Sequence, residues 1–399
     1  MSTAERLREG IKSFGIARWI IVGFLVSIWI LAAVGKSLGW IKLDLSTLLG
    51  DCLVRSGMNG LLVLALVLPV RAGNGLNFGM PLGIVCGLLA GIIGMEFAAP
   101  HPFGIESLGP IDALARGWSG FLFALALAIP FSVLAGWGYG LLLERVRGQE
   151  MMVGVYVGFG AVAGMCVLWL LGPFSSPELV WAIGGEGLRN TIVLNDYYTW
   201  ILDSFGEIQF GSFEEGDLVD GKPPAFQRPE GFYFPTGLIA VWLGSCGLLA
   251  LFLRTRLGVA MTAAGENPTF ARSIGIPVEK MRISATIAST VLAAIGILVF
   301  SQSYGFYQLY KAPLYMAFAM VASLLLGGAS LNRATVTQAI IGTLLFQSLL
   351  TTSLPVVNEL VQGSKKYAAS LANLPEIARL VIQNGVILYA LSRVTRGGK

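Results

Sequence analysis

Charge is scarce in this chain. Asp, Glu, Lys and Arg make up 13% of its 399 residues, hydrophobic residues make up 55%, and the mean hydropathy is +0.73. A water-soluble domain is ordinarily about a quarter charged, so this composition suits a bilayer. Histidine is nearly absent: His101 stands alone, in APHPFG between prolines. A general base needs an oriented partner and a substrate within reach, and the neighbouring sequence supplies neither. The four cysteines, Cys52, Cys86, Cys166 and Cys246, are far apart and form no C-x-x-C pair, so they read as packing residues. Clusters with metal-ligand spacing are missing, and so is the G-x-x-x-x-G-K-[ST] run of a phosphate-binding loop. No catalytic residue and no metal ligand is assigned, and the chain is expected not to be an enzyme.

What is present is a series of apolar segments. Spans of about 17–25 apolar residues mark transmembrane helices, and ten candidates occur: 16–35, 53–71, 76–98, 114–143, 152–172, 235–254, 281–302, 314–329, 334–353 and 376–393. The second is interrupted by Arg55 and Asn59. The eighth and ninth are separated by GGASLNR, Gly327–Arg333. The first 14 residues are polar, and the segment after them is too long for a signal-peptide core. It is therefore expected to be an uncleaved first span.

An all-α membrane protein with both termini cytoplasmic is predicted. Arg6, Arg8, Lys12 and Arg18 precede or open the first span, and Arg393, Arg396 and Lys399 follow the last. Arg71, Arg145, Arg147, the loop 254–282 and Arg333 fall on the same side, which positive charge marks as cytoplasmic. The opposite side carries the link 173–234, with ten acidic residues against Arg189, Lys222 and Arg228. Lys36, Lys42, Lys311, Lys365 and Lys366 also fall outside. The net charge of +4 thus reflects the inner loops rather than a nucleic-acid partner.

The chain divides into an N-terminal half (1–172), an extracytoplasmic insert (173–234) and a C-terminal half (235–399). Five spans on each side of the insert would relate the halves by inversion, an arrangement common in transporters. The insert's first part, with Trp181, Tyr197, Tyr198 and Trp200, is expected to form interfacial amphipathic helices, and its acidic second part a loop. Gly83, Gly87, Gly91 and Gly94, and Gly154, Gly158, Gly160 and Gly164, have the spacing of close helix packing.

Ionisable residues are missing from the middles of the spans; Glu96, Arg116, Glu144 and Arg379 sit near ends, and Arg55 near an outer end. That argues against an ion-driven carrier. Uncharged polar residues are plentiful, and Asn59, Asn77 and Gln302, with Phe78, are candidates to line a pathway. The run AGNGLNFGMPLG, Ala72–Gly83, holds Asn74, Asn77 and Pro81. It admits two readings: a broken or re-entrant helix start facing the pathway, or a capped turn.

The loop GENPTFARSIGIPVEKMR, Gly265–Arg282, is basic and helix-forming. Asn267 is a plausible N-cap with Pro268 at the first helical position, and Gly275 supplies a stop. Around it, Arg254, Thr255, Gly258, Ala264, Gly265, Asn267, Ala271, Arg272, Gly275 and Ile276 form a pattern. It resembles the ribose-type permease subunits of bacterial ABC importers for simple sugars, nucleosides and branched-chain amino acids. Phe270 stands where an alanine is usual. MVASLLLGGASLNRATVTQAIIGTLLF, Met320–Phe346, is similar to a second family segment, with Gly342 matching and Asn332, Arg333 and Thr335 replacing usual glycines. Asn77 and Gly79 match a third element loosely, and the insert has no counterpart in the compact sugar permeases.

The resemblance implies a non-catalytic permease subunit in a bacterial inner membrane. It implies a coupling helix at Gly265, Glu266, Asn267, Pro268, Phe270, Ala271, Arg272, Gly275 and Ile276. The implied partners are ATPase subunits that hold the ATP-Mg, a second permease copy or paralogue, and an extracytoplasmic substrate-binding protein, within membrane lipid. No cofactor is expected on this chain. The scarcity of charge suits a neutral or zwitterionic solute: a sugar or nucleoside first, a branched-chain amino acid next. A self-sufficient secondary carrier or channel is the alternative.

Overall fold

The computed structural model describes residues 16–38, 44–98, 110–172, 174, 179–180, 187–194, 198–205, 208–210, 232–310 and 312–363, with isolated positions between 377 and 388. His101, Trp181, Tyr197 and, but for isolated positions, the tenth apolar segment lie outside the described residues. Hydrocarbon offers backbone groups no hydrogen bonds, so a spanning chain must satisfy them internally, and helices dominate. In chain order they are α1 (Ile16–Ser37), α2 (Leu45–Ala65), α3 (Val67–Arg71), α4 (Met80–Ala98), α5 (Pro110–Arg145) and α6 (Glu150–Leu171). After the insert come α7 (Thr236–Phe252), α8 (Arg256–Glu266), α9 (Pro268–Ser273), α10 (Val278–Tyr304), α11 (Ala312–Leu326) and α12 (Val336–Gly363).

Among the described residues, five helical stretches are long and apolar enough to cross a membrane, or six if the α7–α8 pair, bent by 76°, is one span. Three further apolar helices, Ile21–Ser37, Met80–Glu96 and Pro313–Leu326, are shorter.

The second span differs from its sequence reading. It starts at Leu45, where the Asp44 carboxylate caps the helix by accepting from the Thr47 N–H at 3.3 Å. With α3 it runs for 27 residues, about 40 Å. Of its most apolar stretch, 89% is buried inside the protein. Asn59 therefore meets protein rather than lipid, and it interrupts nothing.

α10 is the other central element, packed on α4, α5 and α2, while α12 packs on α2 and α11. The N- and C-terminal halves thus interlock. α4 lies against α10 with no side chain between them at two points: a Cβ on Gly83 would lie 2.6 Å from the Thr290 carbonyl oxygen, and one on Gly87 would strike that of Ala294. The glycines of α6 divide. Gly154 and Gly158 abut Tyr139 and Pro81, whereas Gly160 and Gly164 face open space, so the packing expected there holds for only one end of the helix.

The described parts of the insert correct the expectation of amphipathic helices. Strand β1 (Thr191–Val193) pairs antiparallel with β4 (Phe306–Gln308), which follows α10, and β2 (Ile208–Phe210) pairs with β3 (Phe232–Phe234), which precedes α7. Tyr198 is buried and meets Tyr307 hydroxyl to hydroxyl, so this aromatic packs inside the protein instead of at a headgroup surface. The insert's strands lie beside the N-terminal end of α2 and the C-terminal end of α10. Arg71, Arg147, the α8–α9 loop and Arg333 gather at the opposite end.

Leucine at Gly83 or Gly87 should cost about 1–3 kcal/mol through overpacking, whereas leucine at Gly160 should cost little. Thermal unfolding of the detergent-solubilised chain checks this, and equal melting shifts for all three would contradict the packing described.

Candidate functional site

The α8–α9 segment is built as an elbow. Thr255, in extended conformation, caps α8 with its hydroxyl accepting from the Gly258 N–H. Asn267 ends α8 and caps α9, its Oδ1 accepting from the Phe270 N–H at 3.0 Å, with Pro268 following. α9 stops where Gly275 takes φ +84, a left-handed conformation that costs glycine nothing and other residues about 1–2 kcal/mol. The Ile276 N–H then closes on the Ala271 carbonyl at 2.9 Å. The sequence-predicted cap, helix and stop therefore stand where expected.

One face of α9 is fixed and the other is open. Ala271 is fully buried against Ala264 and Val278, while Phe270 and Ile274 are 58% and 56% exposed. Two large apolar side chains on a capped helix at a polar protein end make a surface suited to a partner.

The elbow is joined to the bundle by backbone. A Cβ on Gly265 would overlap the Arg71 carbonyl oxygen and lie 2.8 Å from the Gly73 nitrogen, and Gly73 itself has φ +81. The link 72–79 continues inward with irregular backbone. Asn74 Nδ2 donates to Thr286 Oγ1 at 2.9 Å and to the Arg282 carbonyl at 3.1 Å. Asn77 Nδ2 donates to Ser289 Oγ at 3.0 Å, and its Oδ1 accepts from the Gly79 N–H and the Tyr139 hydroxyl. The run is thus an irregular turn buried in protein, capped by the Asn77 side chain, with its polar groups tied to α10 and α5. Arg71 Nε donates to the Ala334 carbonyl at 2.8 Å. Thr335, where the family pattern has glycine, caps α12 in a reciprocal box with Gln338.

Charges form a second connection that sequence reading missed. Arg272 of α9 lies 4.0 Å from Glu279, and Glu279 accepts from Arg147 at 2.9 Å. Arg147 also pairs with Glu144, which stands 4.0 Å from Arg282. Its hydrogen bond to Glu144 is the main cause that raises the Arg147 pKa above its ordinary value. The outer pairs are exposed, but Arg282 and Glu144 are only 14% and 13% exposed. Arg147 and Glu279 are 132 positions apart, which no local spacing reveals.

The pathway candidates do not converge. Asn59 Nδ2 donates to the Arg55 carbonyl at 2.9 Å, and Phe78 meets Phe318 in a tilted contact with ring centroids 5.6 Å apart. Gln302 is fully buried near the C-terminal end of α10, its Oε1 accepting from the Leu202 N–H of the insert at 3.1 Å. Asn77 and Gln302 are thereby tied into the scaffold at opposite ends. Near Gln302, between α2, α10 and the insert, lies a cleft of about 430 Å³ lined in part by Asp51, Arg55, Trp200 and Tyr304.

Residues 48–391 match the family model described as "Branched-chain amino acid transport system / permease component". The chain is 37% identical over 75 residues, 18% of its length and 24% of the relative's, to a Methanocaldococcus jannaschii protein named "Probable branched-chain amino acid transport permease protein LivH". It is 30% identical over 218 residues, 54% of its length and 52% of the relative's, to "Autoinducer 2 import system permease protein LsrC" of Yersinia enterocolitica. The chain spans about half the length, or less, of these curated relatives. No solved structure matches it.

Glu144→Gln, which leaves Arg282 without its sheltered partner, should cost about 2 kcal/mol, and Glu279→Gln less than about 1 kcal/mol because its pairs are solvated. Melting temperatures of the two variants check the order. Equal shifts would show that the inner pair carries nothing.

Proposed function

The chain belongs to the ABC-transporter permease family that this branched-chain amino acid permease model describes, and on that premise we propose that it is the transmembrane subunit of an ATP-driven importer. In this reading ten spans with both termini cytoplasmic form the translocation pathway together with a second permease. Separate ATPase subunits hold the ATP-Mg, and an extracytoplasmic binding protein delivers the solute to the insert end. The membrane is the bacterial inner membrane. The solute is small and polar, neutral or zwitterionic. One relative is named for branched-chain amino acids and another for autoinducer 2.

The observation that carries the reading is the two-sided nature of α9. Its outer face offers Phe270 and Ile274 to a partner, and its inner face is anchored through Ala271. Displacement of α9 by a partner reaches the bundle along two routes: the Gly265–Gly73 backbone contact onto α10 through Asn74 and Asn77, and the charges from Arg272 to Arg282. A chain with no nucleotide-binding motif of its own thus has a lever for an external engine. The residues Gly265, Glu266, Asn267, Pro268, Phe270, Ala271, Arg272, Gly275 and Ile276 are assigned to this coupling element.

Co-reconstitution with the ATPase subunits tests the proposal. Arg272→Glu and Gly275→Pro should each lower ATP-driven uptake at least tenfold while leaving membrane insertion and folded yield intact. Phe270→Asp should also lower ATPase association. Normal ATP-driven uptake by all three would sink the coupling assignment. Solute movement by the purified chain alone in liposomes would favour a self-sufficient carrier or channel instead.

A further inference from the structure

A second cleft lies at the end of the bundle away from the insert, where the elbow meets the start of α12. Arg71 enters it from the end of α3, Thr262 and Glu266 from α8, and Asn332, Arg333 and Thr335 from the loop before α12. Its volume is about 280 Å³, slightly below the roughly 300–1,000 Å³ of sites that take drug-sized ligands. Asn332, Arg333 and Thr335 are the residues that replace glycines of the similar family segment. Glycines there would leave this wall as bare backbone, whereas this chain gives it a charge and two polar side chains.

The two guanidinium groups are held differently. Arg71 Nε donates to the Ala334 carbonyl at 2.8 Å, a bond between positions 263 apart that fixes the side chain against the loop. Its terminal nitrogens meet no acceptor among the described residues. Arg333 is exposed, and its guanidinium pairs with no carboxylate of the described residues. Two planar forks of donors therefore share one small cleft with unused capacity.

Charge decides what such a cleft takes. α12 starts from the same wall, where Thr335 and Gln338 close its cap, and a helix N-terminus adds about half a positive charge. Glu266 on the facing wall brings one negative charge, and it forms no ion pair with a described residue. The groups together leave a surplus of about +1.5. An ammonium is repelled by this wall, and a neutral sugar gains nothing from its charge. A carboxylate carries one charge and leaves part of the surplus unmatched. A phosphate monoester carries about −1.5 to −2 at pH 7, and its oxygens fit the forks of two guanidiniums.

We propose that the cleft between Arg71 and Arg333 is an anion site for a phosphate group, presented by a lipid headgroup or by a soluble phosphate compound. Arg71, fixed by the Ala334 carbonyl, orients the group, and Arg333 closes on it from the loop. Glu266 opposes it, so an occupied cleft repels the end of α8 from the loop before α12. The binding needs neither an ATPase nor a transported solute, and its failure leaves the permease reading standing.

Thermal unfolding of the full chain in maltoside detergent, stripped of lipid, tests this. Inorganic phosphate or dioctanoyl phosphatidic acid is titrated in at constant ionic strength, with acetate as the control. A ligand that binds only the folded chain raises the unfolding temperature. A saturable rise with phosphate or phosphatidic acid, and none with acetate, is expected. A dissociation constant at least tenfold lower for phosphatidic acid supports a headgroup at the site, and one as low for inorganic phosphate supports a soluble source. Arg333→Gln should weaken binding at least tenfold while leaving the unliganded unfolding temperature unchanged, and Glu266→Gln should strengthen it. No saturable rise with either ligand, an equal rise with acetate, or wild-type binding in Arg333→Gln would each overturn the proposal. Weaker binding in Glu266→Gln would overturn it as well, because it would show that the ligand is not repelled by that carboxylate.

Discussion

The contact of Gly265 with Arg71 and Gly73 is backbone against backbone, and much of the molecule's organisation depends on it. Any side chain at Gly265 would occupy the place of the Arg71 carbonyl. Because nothing flexible lies between them, the elbow of α8 and α9 and the link 72–79 are mechanically one piece. That link is in turn stitched to α10 by Asn74 and Asn77. α10 runs through the bundle and ends at the insert, where Gln302 and Ser303 hold the insert's loop. A continuous chain of short contacts therefore joins the two ends of the protein.

The buried polar residues fit this scheme. An apolar bundle offers no hydrophobic discrimination between helices in lipid, so specific side-chain bonds and close-packed small residues fix the arrangement. Asn77 illustrates the point: three bonds, to α10, to α5 and within its own link, use most of its capacity. An asparagine so engaged positions helices and is poorly placed to exchange partners with a passing solute.

Much of this was legible in the chain. Asn267-Pro268 and Gly275 define α9 through chemistry local to the nine residues Asn267–Gly275, so sequence and structure agree there. The apolar segments marked where helices lie because the bilayer demands them, although hydropathy placed the start of α2 too late by overlooking the capping Asp44. The strands of the insert were not legible. Each is three residues long, too short for alternation to register, and β1 finds its partner across the whole of α7–α10. The meeting of Arg55 with Tyr304, and of Arg147 with Glu279, likewise exists only after folding. Thr335 looked like a departure from the family pattern and is instead a helix cap.

The line of charges from Arg272 to Arg282 runs from solvent into shelter. Dissolved ions screen exposed pairs within a Debye length of about 8 Å at physiological salt but scarcely reach enclosed ones. The elbow is therefore graded in stiffness: compliant at its tip, where Arg272 and Glu279 are wet, and rigid at its root, where Glu144 and Arg282 are not. If α9 is the coupling element proposed above, its tip would adapt to the surface it meets while its base keeps its place.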